Sequence, residues 1–334
     1  MGGTQMGVKD EPGESIFSDL EEYADIGDDR TKLQRTFELW RETLAEQWGL
    51  LKQDVLVVFG IVTIAFFAVI AVIAPLIAPH DPLERQYGAD GILISQWFEP
   101  FWLGGEGGHV LGTTAEGYDI FSQLIFGTRP ALIVGFAAAV ITATVGTMVA
   151  LTAGYYGGRT DDVLMRIVDI AYGLPLLPTV ILMVAYLGPN FFNVIIAVCL
   201  LQWRSSARVI RSQVLSLRER PFVQSARVAG ASDWRIISRH IAPNVLPLTF
   251  LYAAFAIGWG ILTEAGVSFL GLGDPSQVSW GTMLQSAHTY NAMSFGTWWW
   301  FVPPGICIAL VVISGFLIGR GYEEITNPKL RKRH

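Results

Sequence analysis

The sequence predicts an all-α membrane protein with six transmembrane helices. Three observations carry this: a low overall charge, long blocks with no charge at all, and a one-sided distribution of lysine and arginine. Of the 334 residues, 51% are hydrophobic and only 16% charged, against about 25% charged in a soluble domain. The deficit is concentrated in Val55–Ala78, Ala131–Tyr155, Leu248–Leu270 and Trp298–Ile318, where Glu264 is the one charged residue. Each block is near or above the roughly 20 residues needed to cross a hydrocarbon core. Two less apolar blocks complete six. Val163–Leu187 carries Arg166 and Asp169 near its start, and Phe191–Trp203 reaches spanning length by continuing through Arg204–Ile210, with its arginines extended to the interface.

Lysine and arginine in the loops set orientation. Six spans put 21 of the 23 on the side of the two termini, leaving Arg85 and Arg129 opposite. The expectation is a multi-pass protein of the cell membrane with both termini cytoplasmic. Residues 1–50 form an acidic cytoplasmic tail, with nine acids and no lysine or arginine from Asp10 to Asp29; its second half, Thr31–Lys52, reads as an amphipathic helix. Residues 51–334 form the transmembrane domain, with an external loop at 79–129, a cytoplasmic segment at 204–243 and an external segment, Gly271–Thr297, free of lysine and arginine.

Nucleotide hydrolysis through a phosphate loop needs a Gly-Lys-Ser/Thr ending. The five lysines follow Val8, Thr31, Leu51, Pro328 and Arg331, so this chain has no Gly-Lys dipeptide. Gly266–Gly271 misses the Gly-x-Ser-x-Gly spacing of a nucleophile elbow, so Ser268 reads as a small polar residue at a helix end. His80, His109, His240, His288 and His334 are scattered along the chain, and Cys199 and Cys307 both lie inside predicted spans. No catalytic residue, cofactor site or metal site is expected.

Arg204–Pro243 is long for a connection between spans. Arg204, Arg208, Arg211 and Arg218 share one helical stripe, which reads as a belt at the membrane surface. Beyond it, a short helix from about Phe222 is expected to stop at Gly230, a left-handed cap position. Ser232 or Asp233 suits the N-cap of a second helix, and Pro243 and Pro247 close the unit. Helix, glycine turn and helix make a compact docking knob.

The stretch Gln224-Ser225-Ala226, then Gly230, then Pro243 resembles the coupling segment of ABC importer permeases, Glu-Ala-Ala, three residues, Gly, nine residues, Ile-x-Leu-Pro. It departs in having Gln224 and Ser225 for Glu-Ala, His240 for the Ile and Ala242 for the Leu. Gly230-Ala231-Ser232-Asp233-Trp234-Arg235-Ile236-Ile237-Ser238-Arg239-His240-Ile241-Ala242-Pro243-Asn244 is closer to the dipeptide, oligopeptide and nickel subgroup, second (C-type) permease subunit. Leu111–Asp119, Ala153–Gly158, Met165–Asp169, Ser268–Gly273, Ser279–Gly281 and Asn327–Leu330 are similar to further blocks of that subgroup.

The resemblance implies the type I importer permease fold, with a cytoplasmic coupling helix between spans four and five. It implies ATP-driven import, most frequently of peptides, with nickel and oligosaccharides carried by related systems. Implied partners are a homologous second permease, two ABC ATPase subunits that bind the ATP and magnesium, and a solute-binding protein, with membrane lipid around the spans and no nucleic acid. Carried over by position, Phe222, Gln224, Ser225, Ala226, Gly230, Ala231, Ser232, Asp233, Trp234 and Arg235 form the ATPase-coupling surface. A passive six-span channel is the alternative from another class, though it has no need of a docking knob.

Inside the spans, Gly146, Ala150, Gly154 and Gly158 recur every four residues, a ridge of small side chains that lets helices approach or glide. Pro175 and Pro178, and Pro303 and Pro304, remove backbone donors and can bend their helices. Arg166 and Asp169, three apart, are expected to form an ion pair on one helix face. Two readings are open for Glu264: pathway or gate residue, with Ser268 beside it, or helix-end solvation and interhelical pairing. Trp97–Trp102 is aromatic and reads as an interfacial flap, with direct substrate contact as the alternative.

Overall fold

A computed structural model describes residues 54–87, 100–103 and 108–326. The acidic tail, Thr31–Lys52, Trp97–Glu99 and Asn327–Leu330 lie outside the described residues. Those described are helical apart from turns, short irregular stretches and isolated bridge positions such as the Thr113–Asp119 pair.

Helix α1, Val55–Ile77, starts where Asp54 accepts a hydrogen bond from the Leu56 amide, satisfying one of the free donors of a first turn. Short α2, Ile120–Phe126, leads into α3, Thr128–Ile141. A single wide turn, Thr142–Gly146, joins α3 to α4, Thr147–Tyr156. Then come α5, Gly158–Gly173, α6, Leu176–Leu187, and α7, Phe191–Arg218. The short α8, Pro221–Val228, and α9, Asp233–Ile236, precede α10, Ala242–Val267. Helix α11, Trp280–Thr289, and long α12, Trp298–Thr326, complete the order.

Among the described residues, four helical stretches are long and apolar enough to cross a membrane: Val55–Ile77, Ile120–Tyr156, Asp233–Leu272 and Trp298–Glu323. The expected single span Val163–Leu187 is instead two helices, α5 and α6, meeting at 85°. The cause is local. Pro175 bars the helical conformation at Leu174, which is extended (φ −85°, ψ 119°). Counted as one broken span, the pair brings the total to five. The α7 helix is continuous for 28 residues, through Trp203 as expected, but its arginines keep it outside the apolar set. Pro178 sits in the first turn of α6, where no amide partner is lost, and α12 runs through Pro303 and Pro304.

The core forms where α10 lies against α3 and α12, with α1 packed against α12 and α3. Phe67 of α1 meets the buried Trp280 of α11 edge-on at 5.4 Å, and the Trp280 indole donates to the Leu124 carbonyl. The ridge of small residues packs against α7. A β-carbon at Gly154 would lie 2.7 Å from Val214, and one at Gly146 would lie 2.0 Å from the Ser206 hydroxyl, while Ala150 is fully buried. Gly158 departs from the ridge: with φ +51° it makes the turn into α5 and faces open space.

Two expected arrangements of charge are corrected. Asp169 pairs with Arg208 of α7, not with Arg166; packing α7 across α5 brings a cation from another helix to the carboxylate. The arginine stripe on α7 likewise does not form a free surface belt. Arg204 donates to the Ala171 carbonyl (3.1 Å), Arg211 grips Asp161 with two nitrogens, and Arg218 donates to the Gly154 and Tyr155 carbonyls (3.2 Å each). Four arginines on one face thus rivet α7 to the end of α4 and along α5. Planar, bidentate pairing is a property of arginine that lysine lacks. The Asp161 side chain is 15% exposed, so Arg211→Ala leaves a poorly hydrated carboxylate. We expect a loss of about 1–2 kcal/mol of stability, incompletely restored by Arg211→Lys, in thermal unfolding of the purified protein.

Candidate functional site

The α8–α9 unit is built from its caps. Pro221 occupies the first helical position, where the missing amide costs nothing. At the other end the Ala231 amide donates to Ala226 and the Gly230 amide to Arg227, a Schellman arrangement. It requires a left-handed residue after the cap, and Gly230 supplies it with φ +79°. Ser232 then caps α9, accepting from the Arg235 amide at 3.4 Å, so Asp233 falls in the first turn, where negative charge is favoured.

One face of this unit is buried. Val223, Ile236, Ile237 and Ile241 pack with Tyr155 of α4 and with Ile210, Val214 and Leu217 of α7. The Tyr155 hydroxyl donates to Asp233 at 2.6 Å, and the Arg227 guanidinium lies 5.8 Å from the Tyr155 ring centre. The other face is open. Of the ten coupling candidates, Phe222, Gln224, Ser225, Gly230, Ser232, Asp233, Trp234 and Arg235 are exposed, and Ala226 and Ala231 half-buried. Trp234 is 76% and Val228 89% exposed, beside Arg220, Arg227, Arg235 and Arg239 on the same unit. The result is a rigidly seated knob with an apolar tip and a basic surround.

Glu264 and Ser268 are adjacent in space at the other end of α10. Glu264 is buried and its carboxylate accepts from the Ser268 hydroxyl at 2.7 Å. With Asp274, Ser279 and Thr282 they line a small cavity beneath the start of α11. Helix-end solvation is therefore wrong for Glu264, because α11 and its cap cover it.

Residues 143–332 match the family model described as the binding-protein-dependent transport system inner membrane component, more than half of the chain. This chain belongs to that family. Residues 39–97 match the N-terminal TM domain of oligopeptide transport permease C. The dipeptide transport system permease protein of Bacillus subtilis (strain 168) is 32% identical over 288 residues, 86% of each chain. Its counterpart in Haemophilus influenzae is 33% identical over 290 residues, 86% of this chain and 96% of the relative. The oligopeptide transport system permease protein of B. subtilis is 32% identical over 311 residues, 92% and 96% of the two chains. The resemblance to the C-type permease subunit of ABC importers, drawn from separate short motifs, is borne out along most of the chain.

The motif blocks of this transport component take distinct structural roles. Ala153–Gly158 ends α4 and supplies Tyr155 and two carbonyls to the knob and to Arg218. Ser279–Gly281 opens α11 with a capping box between Ser279 and Thr282. Leu111–Asp119 forms a tight turn in which the Thr114 amide meets the Tyr118 carbonyl. Asp119 caps α2, accepting from the Ser122 amide at 2.8 Å. Burial pushes the Asp119 carboxyl up, but hydrogen bonds from His109 and Ser122 outweigh it and hold the group below its ordinary value.

That turn also gathers residues that looked scattered in sequence. His80, just after α1, and His109 bring their rings to 4.7 Å, and both face Asp119. Separations of 29 and 10 residues carry no periodic signal; only the Leu-Gly-Thr block ending at Asp119 marked the neighbourhood.

Proposed function

We propose that this chain is one of two permease subunits of an ATP-driven importer for di- and oligopeptides. In this reading α5–α6 is the third crossing and α7 the fourth. Both termini and the α8–α9 knob face the cytoplasm, as the 21-to-2 split of basic residues supports. A homologous permease completes the pathway, a binding protein delivers solute from outside, and two ATPase subunits bind ATP and magnesium. Phe222–Arg235 is the surface those ATPases push.

The observation that carries this reading is the knob itself. An exposed tip of Phe222, Val228 and Trp234 is unusual on a small soluble-facing unit and marks a protein contact. Its buried side is fixed to α4 and α7 through Tyr155, Ile236 and Ile237. Force on the tip therefore reaches two membrane helices without an intervening hinge. ATP binding then biases a two-state element through one contact. The peptide cargo rests on the relatives' names, dipeptide and oligopeptide permeases. The test is uptake of labelled dipeptide into vesicles holding the complete complex. Uptake that requires ATP and binding protein supports the reading, and equilibration without ATP supports a passive channel.

Glu264 and Ser268 are proposed as an outer gate. They line one cavity with Ser279 and Thr282 at the start of α11, so an opening of the external face would part α11 from them. Glu264→Gln keeps an acceptor for Ser268 and removes the carboxylate. It is expected to preserve folded protein while lowering uptake severalfold. Unchanged uptake assigns Glu264 to helix packing alone.

A further inference from the structure

We propose that His80, His109 and Asp119 form a binding site for one divalent transition-metal ion of the zinc class, stapling the end of α1 to the turn before α2. The three lie together with one ligand atom each, all within 4.8 Å of one another. The His109 Nδ1 is 2.8 Å from Asp119 Oδ1, and the His80 Nδ1 is 3.8 Å from the same oxygen. Ligand bonds of 2.0–2.2 Å in a tetrahedron place donor atoms about 3.3 Å apart. The shorter gap must open and the longer one close, each by roughly 0.5 Å. The two histidine ligand atoms, within 4.8 Å of each other, must settle at the same spacing, and all three are side-chain adjustments.

The donor set fits the ion. Two imidazoles and a carboxylate are ligands for zinc-class metals rather than for calcium or magnesium, which take oxygen donors. A fourth position is left for water. His80 is the natural point of entry, since its side chain is 29% exposed while His109 and Asp119 are buried.

A purely structural role accounts for part of the cluster only. The His109–Asp119 hydrogen bond alone would brace the turn. It leaves the His80 Nδ1 buried with no hydrogen-bond partner, although a buried unsatisfied polar atom is costly. A metal ion satisfies that nitrogen and uses the geometry around it. Asp119 Oδ2 is already held by the Ser122 amide, leaving Oδ1 for the ion, and the Ser122 hydroxyl accepts from the His80 amide at 3.1 Å. Such supporting bonds orient ligands in metal sites.

The test uses the full-length protein, purified without a polyhistidine tag, stripped with chelator and then equilibrated with zinc. Metal content is read by elemental analysis after desalting, and cobalt substitution is read by visible absorption. Wild type is expected to retain one ion per chain and to give the intense absorption of tetrahedral cobalt. His80→Ala leaves the His109–Asp119 bond in place, so folding is kept, and should weaken zinc binding by roughly tenfold or more. His288→Ala, remote on α11, is expected to bind as wild type does. Sub-stoichiometric zinc in wild type, equal binding by His80→Ala, or equal loss in His288→Ala would each overturn the site.

Discussion

Gly230→Leu is expected to cut ATP-driven uptake by about tenfold or more while ATP hydrolysis by the assembled complex continues. A β-carbon at Gly230 meets no atom within 4 Å, so no clash is involved. The effect arises in the backbone: at φ +79° a branched side chain strains the residue by about 1–2 kcal/mol. The chain relieves that strain by changing the angle between α8 and α9. Each 1.4 kcal/mol corresponds to about a tenfold shift in equilibrium, enough to displace the tip proposed to receive the push. Gly230→Asn provides the control, because asparagine tolerates the left-handed region. Near wild-type uptake in Gly230→Asn beside loss in Gly230→Leu identifies conformation as the cause. Wild-type transport by Gly230→Leu removes the turn from the mechanism.

The second large effect belongs to Trp234. A tryptophan exposed to 76% contributes little to the fold of the isolated chain, so Trp234→Glu should leave thermal unfolding nearly unchanged. At an interface, a central tryptophan is a frequent source of binding energy, about 2 kcal/mol or more on truncation. That is roughly thirtyfold in affinity. Trp234→Glu is therefore expected to lose the ATPase subunits during co-purification, whereas Trp234→Phe retains them. A stable complex with Trp234→Glu would place the ATPase contact elsewhere on the knob.

The parts of this protein that were legible beforehand are those fixed by local chemistry. Charge-free blocks of spanning length became helices because no other structure satisfies the backbone in lipid. The α8–Gly230–α9 unit could be read because its signals are short-range: glycine at a left-handed cap, and serine or aspartate at an N-cap. What could not be read depends on which helices meet. Asp169 chose Arg208 over Arg166 because α7 crosses α5, and the four arginines of α7 found carbonyls and two carboxylates on neighbouring helices. Neither partner lies within a turn of sequence. The break at Leu174 was foreshadowed by Pro175, but an 85° bend depends on what each half packs against. The His80–His109–Asp119 cluster is the extreme case, assembled from the end of one helix and a distant turn.

The measurement that bears most directly on the central claim is crosslinking from position 234 in the intact transporter. A photoreactive residue there, in sealed vesicles of known orientation, should label an ATP-hydrolysing subunit on the cytoplasmic side, with a yield that changes when a non-hydrolysable ATP analogue is added. Capture of a binding protein from the outer face, or a transporter that moves solute with no nucleotide-hydrolysing subunit within reach of Trp234, would contradict the account.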